Sequence, residues 1–268
     1  MKKILLLALV AGFILGSCKK ADEKRYNSHD NIYLDFGGSD RDSMLYTFAY
    51  NPSFGKDTMY VPVRISGIRS TVDRKFILKV LQDSSTALPN KHYKPLADTY
   101  IMPKDTGFVN VPIEIYNTDP LLEKASVTLR VRLMASEDFD VNIPKLIDGK
   151  IVFSNKLERP GWWGMWFGGY YSRVKHEFFL ITSGLESLST NGLDAPKNLY
   201  FVSLVNSFLS DPAKWISKNQ SKGYMLKLRT DGNYDFYNIN NPTRTVLYRN
   251  NAQAGKFFFI DENGIEVQ

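Results

Sequence analysis

The chain has 268 residues, 43% of them hydrophobic, and 34 basic against 28 acidic side chains give a formal charge of +6. This length can bury one sizeable core or two smaller ones. The single cysteine excludes a disulfide framework and a thiolate metal site. The small basic excess is spread along the chain without a dense block of Lys and Arg, so we expect no nucleic acid partner.

Residues 1–17 form a secretion signal. Two lysines precede an apolar run over 4–15 that is too short to be a permanent transmembrane helix, and small residues follow for cleavage. The closing Leu-Gly-Ser-Cys resembles the lipobox of bacterial lipoproteins, which implies that Cys18 is lipidated and anchors the mature chain in the membrane. The alternative is an ordinary secretory signal that happens to carry a cysteine.

Residues 18–31 are polar and charged, which predicts a lipidated, flexible tether. The run Lys-Ala-Asp-Glu just after Cys18 resembles the acidic surface-export signal of Bacteroidota lipoproteins. We therefore expect an outer-membrane lipoprotein displayed on the cell surface. Retention on the periplasmic side is the alternative, because a charged linker has the same composition.

Short segments of alternating apolar residues occupy residues 32–155. The stretches "MYVPVRISG", "GFVNVPIEIY" and "SVTLRVRLM" alternate with the period of two that is typical of half-buried strands. Several such strands without long helical patterns between them predict a mainly β fold, an immunoglobulin-like antiparallel β-sandwich. Pro62 and Pro112 fall within strands, so we expect those strands to lie at an edge or to carry a bulge.

The stretch "PGWWGMWFGGYYSR" begins the second region and is rich in aromatic residues and glycine. Its composition predicts a loop or bent strand. Exposed rings on such a loop would stack on a sugar, which makes Trp166, Tyr170 and Tyr171 the candidate ligand-binding residues. The alternative is that the rings fill the junction between two domains, and we expect this of Trp162 and Trp163.

A smaller α+β domain is predicted over 160–268. One helix follows the aromatic stretch, with Gly184 near its end, and a second has Pro196 in its first turn and Pro212 after its end. Alternation returns after the helices, and Asp-Gly at 231–232 predicts a hairpin.

No motif in the sequence carries a catalytic mechanism. His29, His92 and His176 are scattered without the close pair that zinc sites draw from one helix, and His176 is expected to be a partly exposed polar residue. The sequence contains neither a nucleophile elbow nor a nucleotide-binding loop. A carboxylate pair for glycoside hydrolysis stays open, because such pairs meet only in the fold. We therefore predict a protein that is not an enzyme and has no catalytic residues, metal or cofactor.

The order of the motifs "YLDF", "DTMYVPVRISG", "IVFSNKLERPGWW" and "DENGIEV" resembles an uncharacterised family of Bacteroidota lipoproteins, a domain of unknown function. The resemblance covers nearly the whole mature chain and implies association with starch-utilisation-type polysaccharide utilisation loci. We therefore predict a non-catalytic surface lipoprotein that binds glycan or docks on an outer-membrane import complex. The alternative is a structural or adhesive module that binds another protein through the sandwich edge.

The stretch "SSTALPNKHYKPL" resembles the Calx-beta type of sandwich, with Asn90 near a glycine position and His92 in place of an acidic residue. Calcium in such modules needs clustered oxygen ligands. Asp83, Asp119 and Glu123 would supply them only if their loops converge. The alternative is ordinary turn chemistry on the surface.

Overall fold

The computed structural model describes residues 29–37 and 42–268. The secretion signal, Cys18 and most of the tether lie outside the described residues, so their assignments stay predictions. In the part that is described, no helix combines the length and the hydrophobicity needed to cross a membrane.

Eight strands of the described chain form a β-sandwich. A three-stranded sheet has the order β1–β3–β6, and a five-stranded sheet has the order β2–β8–β7–β4–β5. Side chains between the sheets make the first core, where Val61, Leu129 and Phe153 are buried. This confirms the predicted mainly β sandwich. The strands are β1 (Asn31–Leu34), β2 (Ser43–Thr47), β3 (Lys56–Ser66), β4 (Arg74–Val80), β5 (Tyr100–Met102), β6 (Phe108–Tyr116), β7 (Val127–Met134) and β8 (Asp148–Ser154).

The strand pairing is antiparallel except between β2 and β8, which run parallel. Pro112 lies on β6, an edge strand of the three-stranded sheet, as predicted. The same expectation is wrong for Pro62, which lies on the central strand β3. The last residue of β1, Leu34, pairs with Val63, and the Pro62 carbonyl accepts the Asp35 N–H at 3.0 Å. The N–H that proline lacks would point toward Asp35, where β1 has already ended. Pro62 therefore removes no hydrogen bond from the interior of the sheet.

Four helices of the described residues begin the C-terminal unit. The Ser172 hydroxyl caps α2 by accepting the Lys175 N–H at 3.1 Å, and Gly184 ends this helix in the left-handed conformation. Pro196 lies in the first turn of α3. Both predicted helices are therefore present. The helices are α1 (Trp163–Phe167), α2 (Arg173–Ser183), α3 (Ala195–Ser210) and α4 (Pro212–Lys218).

A four-stranded antiparallel sheet completes the C-terminal unit, in the order β12–β11–β10–β9. Gly232 has a positive φ of 80° between β9 and β10, which confirms the predicted hairpin. The strands are β9 (Tyr224–Leu228), β10 (Tyr234–Asn238), β11 (Asn241–Asn251) and β12 (Lys256–Phe259).

The aromatic stretch forms the short helix α1, so the prediction of a loop or bent strand is wrong. The helix ends at Gly168, whose φ of 85° no ordinary residue adopts readily. Trp162 and Trp163 are buried, as expected, but they lie in the second core, whose members come mostly from the C-terminal unit rather than from a junction between two domains. The Trp163 ring stacks on Phe167 at 4.6 Å between centroids, and this packing stabilises a turn that composition alone disfavours.

The sandwich and the C-terminal unit are in direct contact. Ala49 and Leu157, which flank the sandwich strands, belong to the second core. The Asn241 side chain donates to the Phe54 and Asn117 carbonyls at 3.5 and 3.4 Å. A Cβ added to Gly55 would overlap the backbone of the C-terminal unit at Asn240. The loop after β2 is therefore fixed against the turn between β10 and β11.

Candidate functional site

Tyr170 is the exposed ring among the predicted ligand-binding residues, with 51% of its surface accessible. Its hydroxyl donates to Asp261 at 2.5 Å and accepts from Asn263 at 3.2 Å. The hydrogen bond to Asp261 raises the pKa of the Tyr170 hydroxyl. The ring lines a groove of about 360 Å³ together with Phe167, Ser172, Lys175 and residues 265–268.

Trp166 and Tyr171 are half-buried, and each donates a hydrogen bond to a backbone carbonyl. The Trp166 indole N–H donates to the Ser189 carbonyl at 2.9 Å, and the Tyr171 hydroxyl donates to the Leu157 carbonyl at 2.8 Å. Burial raises the pKa of the Tyr171 hydroxyl. No ring contact in the described part of the chain joins two of Trp166, Tyr170 and Tyr171. The three predicted residues therefore do not form one stacking platform.

His176 is buried beside these rings, so the expectation of a partly exposed residue is wrong. Its Nδ1 lies 3.2 Å from the Tyr171 hydroxyl oxygen, and its Nε2 has no partner within the described residues. The Tyr171 proton is already donated to Leu157, so Nδ1 carries the imidazole proton. A second proton on Nε2 would be buried without an acceptor, and burial lowers the pKa of His176 to about 4. The imidazole is neutral at pH 7 and packs as a core residue.

Two glutamates and two arginines form an ion-pair network between the sandwich and the C-terminal unit. Glu123, in the turn before β7, pairs with Arg173 at 2.8 Å and with Arg244 at 2.9 Å. Glu177 pairs with the same two arginines. All four side chains are largely buried, and each carboxylate is paired with two cations, so neither is free to contact a ligand.

Hydrogen bonds and an ion pair made by its own residues hold the Calx-beta-like turn in place. Asn90 adopts a positive φ of 62°, which suits its place at a glycine position. The Leu88 N–H donates to His92 Nδ1 at 2.9 Å, so Nε2 carries the proton and donates to Asp119 at 2.8 Å. Lys91 also binds Asp119.

Of the three carboxylates considered for calcium, Asp119 and Glu123 are engaged elsewhere, and Asp83 is exposed. Burial acts to raise the pKa of Asp119, but hydrogen bonds from Lys91, the Leu121 N–H and His92 outweigh it and lower the pKa to about 2. Glu123 belongs to the ion-pair network. Over residues 29–37 and 42–268, no three His, Cys, Asp or Glu side chains converge as a metal site.

A cleft of about 420 Å³ opens where the loop after β2 meets the C-terminal unit. Tyr50, which is half-exposed, lines the cleft from the loop after β2, and Tyr224, which is buried, lines it from the C-terminal unit. Pockets at domain junctions that combine rings with a few polar groups are common ligand sites. The polar residues that line the cleft are Asn51, Ser53, Glu186, Ser221, Lys222 and Asn240.

The electrostatics of the cleft are nearly neutral. The Lys222 ammonium donates to the Ile181 carbonyl at 2.6 Å and lies 5.3 Å from the Trp215 ring centroid. Desolvation lowers the pKa of Lys222. This cation is therefore occupied by the C-terminal end of α2, which attracts positive charge. Glu186 is the carboxylate of the lining, and the other polar groups are amides and hydroxyls.

Sequence reasoning missed the cleft because its residues come from four separate segments. The signals were the turn-forming stretches "YNPSFG" and "NINNP", which together supply Tyr50, Asn51 and Asn240. Each stretch alone indicates only a turn. Their approach depends on the Gly55 contact, which no local pattern encodes.

No curated protein matches the chain. Among solved structures, the Calx CBD1 domain in its apo form is 16% identical, with a TM-score of 0.36 over 47% of this chain and 97% of that domain. A Bacteroides ovatus protein of unknown function is 19% identical, with a TM-score of 0.35 over 46% of this chain and 43% of that one. A Bacteroides ovatus "putative carbohydrate binding protein" is 13% identical, with a TM-score of 0.36 over 48% and 38%.

The chain spans less than half the length of these two Bacteroides ovatus proteins. TM-scores this low support no conclusion about function. A family model matches residues 26–185, which include the sandwich strands, α1 and α2. The chain therefore belongs to the family described as Domain of unknown function (DUF4843).

Proposed function

We propose that the protein is a non-catalytic binding protein that holds a neutral carbohydrate in the cleft between the sandwich and the C-terminal unit. The observation that carries the proposal is the composition of the cleft, where the half-exposed Tyr50 ring accompanies neutral amide and hydroxyl groups in about 420 Å³. A tyrosine ring stacks on the apolar face of a sugar, and amides and hydroxyls exchange hydrogen bonds with its hydroxyls.

The charges around the cleft favour a neutral ligand over an anionic one. Lys222, the cation of the lining, already donates to the Ile181 carbonyl. Glu186 is exposed and would repel a phosphate or a uronic acid while accepting hydrogen bonds from sugar hydroxyls.

The same residues support binding without hydrolysis. Cleavage of a glycosidic bond by the common mechanisms needs two carboxylates that flank the bond. Among the described residues, Glu186 is the single carboxylate of the cleft lining, and Glu123 and Glu177 are each paired with two arginines. The described part of the chain therefore supplies no second carboxylate in the cleft for this mechanism.

The cellular setting belongs to the same proposal. The lipobox at Cys18 and the acidic run behind it favour an outer-membrane lipoprotein on the cell surface, and the motif order favours an accessory role in a polysaccharide uptake system. In this role the protein presents glycan to an import complex or docks on it.

A glycan-array screen tests the proposal. The chain lacking residues 1–18 is expected to retain neutral glycans. Tyr50→Ala should weaken the affinity about tenfold, because a stacking ring is lost. Tyr200→Ala, which removes an exposed ring of α3, is the matched control and should bind as the parent does. Equal glycan affinity of the parent and Tyr50→Ala would place the ligand elsewhere.

One observation favours protein binding as a second candidate function. Strand β2 pairs with β8 on one side, its other side is unpaired within the described residues, and its Leu45 is 78% exposed. Edge strands of this kind accept an added strand from a partner. Chemical crosslinking on intact cells tests this candidate: a complex that Leu45→Lys removes and Tyr50→Ala keeps would support the adhesive alternative.

A further inference from the structure

The outer face of the three-stranded sheet is exposed and carries aromatic side chains. Residues of β3 and β6 alternate between buried and accessible, so every second side chain points away from the first core. Tyr60 and Phe108 on this face are 57% and 58% exposed. Large exposed rings grouped on one rigid face are a recurrent sign of a binding surface.

The strand register arranges these side chains in rows. Tyr33, Arg64 and Phe108 lie opposite one another across the three strands. Further along the sheet, Tyr60 lies opposite Pro112, and beyond it Lys56 lies opposite Tyr116. Every second outward-facing row of β3 and β6 therefore carries an aromatic ring.

Polar side chains lie in the rows between the rings. Asn110 pairs with Pro62 between the first two ring rows, and Glu114 pairs with Thr58 between the next two. Four residues separate one ring row from the next, which is about 13 Å along a strand, so the three ring rows span about 27 Å. An amide or a carboxylate stands halfway between neighbouring rings.

The charges of this face cancel in pairs. Arg64 Nε lies 2.5 Å from Asp35 Oδ2, and Lys56 Nζ lies 3.1 Å from Glu114 Oε2. Arg64 also lies over the Phe108 ring at 5.8 Å from its centroid. Since Arg64 and Lys56 each have their own carboxylate, the rows that carry the rings have no net charge that would select a charged ligand.

A groove runs beside the same face. The segment after the Calx-beta-like turn lies along β6, where the Lys94 N–H donates to the Glu114 carbonyl at 2.9 Å. With Tyr100 it encloses a groove of about 380 Å³ that Thr58 and Pro112 also line. Lys94 has no ion-pair partner in the described part of the chain and stands at the rim of this groove. The face is therefore bounded along the β6 side.

We propose that this outer sheet face is a second carbohydrate site that binds an extended neutral polysaccharide along β3 and β6. The alternation of ring rows with hydrogen-bonding rows matches a polymer whose apolar faces and hydroxyls recur along its length. A protein partner would favour a contiguous apolar centre, which the interposed Asn110 and Glu114 interrupt. The inference goes beyond the cleft and shares with the proposed function only the class of ligand.

Affinity electrophoresis of the chain lacking residues 1–18 tests this inference, with soluble starch, xylan, galactomannan or homogalacturonan cast in native gels. At least one of the three neutral polysaccharides should retard the parent chain. Tyr60→Ala combined with Phe108→Ala should lower the affinity about 100-fold, about tenfold for each lost ring. Both side chains are exposed, so the melting temperature should stay within about 3 °C of the parent.

Matched variants separate this site from the cleft. Tyr200→Ala removes an equally exposed ring on α3 and should keep full retardation. Tyr60→Phe keeps the stacking ring and should retain polymer affinity. Tyr50→Ala should weaken binding of a trisaccharide of the retained polymer in the cleft and leave polymer retardation in place.

Each contrary outcome has a distinct meaning. Full retardation of the double variant overturns the sheet-face site and leaves the cleft proposal standing. Loss of polymer retardation in Tyr50→Ala alone assigns the polymer to the cleft and also overturns the inference. Retardation of the parent by homogalacturonan alone, or by none of the four polysaccharides, overturns the assignment of a neutral polysaccharide to this face.

Discussion

Replacing Trp163 by alanine should destabilise the protein strongly, because this ring is a central part of the second core. Trp163 is fully buried, stacks on Phe167 at 4.6 Å and meets Tyr171 edge-on at 5.0 Å between centroids. Deleting a buried aromatic ring costs about 3 to 5 kcal/mol. The indole N–H also donates to the Tyr170 carbonyl at 2.9 Å, and losing this partly buried hydrogen bond adds about 1 kcal/mol.

Thermal unfolding of the chain lacking residues 1–18 measures this effect. A loss of about 4 to 6 kcal/mol in a chain of this size lowers the melting temperature by about 10 to 20 °C. Trp163→Phe keeps a ring and should recover more than half of the loss. Tyr170→Ala, which removes an exposed ring of the same segment and keeps the backbone carbonyl, should shift melting by only a few degrees. If Trp163→Ala melts within about 3 °C of the parent, the Trp163 ring is not a central part of the second core.

Three further perturbations test the protonation of His176, the close contact at Gly55 and the lipidation of Cys18. The folded-state pKa of His176 is about 4, whereas an unperturbed imidazole has a pKa of 6.5. As the pH falls, the unfolded chain therefore binds a proton at this residue at a higher pH than the folded chain does. About 3 kcal/mol of stability should be lost as the pH falls from 6.5 to 4; urea titrations of His176→Leu should show a flatter profile over this range, and a profile as steep as that of the parent would contradict the assignment. Gly55→Ala should lower both the melting temperature and the glycan affinity, because its Cβ would overlap the Asn240 backbone, whereas Gly192→Ala enters open space and should do neither. Cys18→Ala should release the protein from membranes or leave an uncleaved precursor, and unchanged incorporation of a fatty-acid analogue would contradict lipidation at that residue.

The strands and longer helices were predictable because their determinants are local. Alternation along "VTLRVRLM" reflects the two faces of β7, one of which is buried in the first core. The end of α2 was marked by Gly184, which has the positive φ that a helix end favours. Such signals depend on residues that are close in sequence, so they can be recognised without knowledge of the tertiary contacts.

The predictions from sequence failed where tertiary contacts outweigh the local conformational preferences of the residues. Pro62 is tolerated on a central strand because β1 stops one residue short of it. His176 looks polar in sequence but is surrounded by Trp162, Trp163 and Phe179, which keep its imidazole neutral. The candidate residues of the aromatic segment were identified by type, whereas exposure, which only the fold decides, leaves Tyr170 as the accessible ring.

Isothermal titration calorimetry with the best ligand from the glycan array decides whether the cleft binds carbohydrate. The parent chain lacking residues 1–18 should bind one equivalent in the cleft, and Tyr50→Ala should lower the affinity about tenfold at an unchanged melting temperature. Equal affinities for the parent and for Tyr50→Ala would contradict the assignment of the ligand to this cleft.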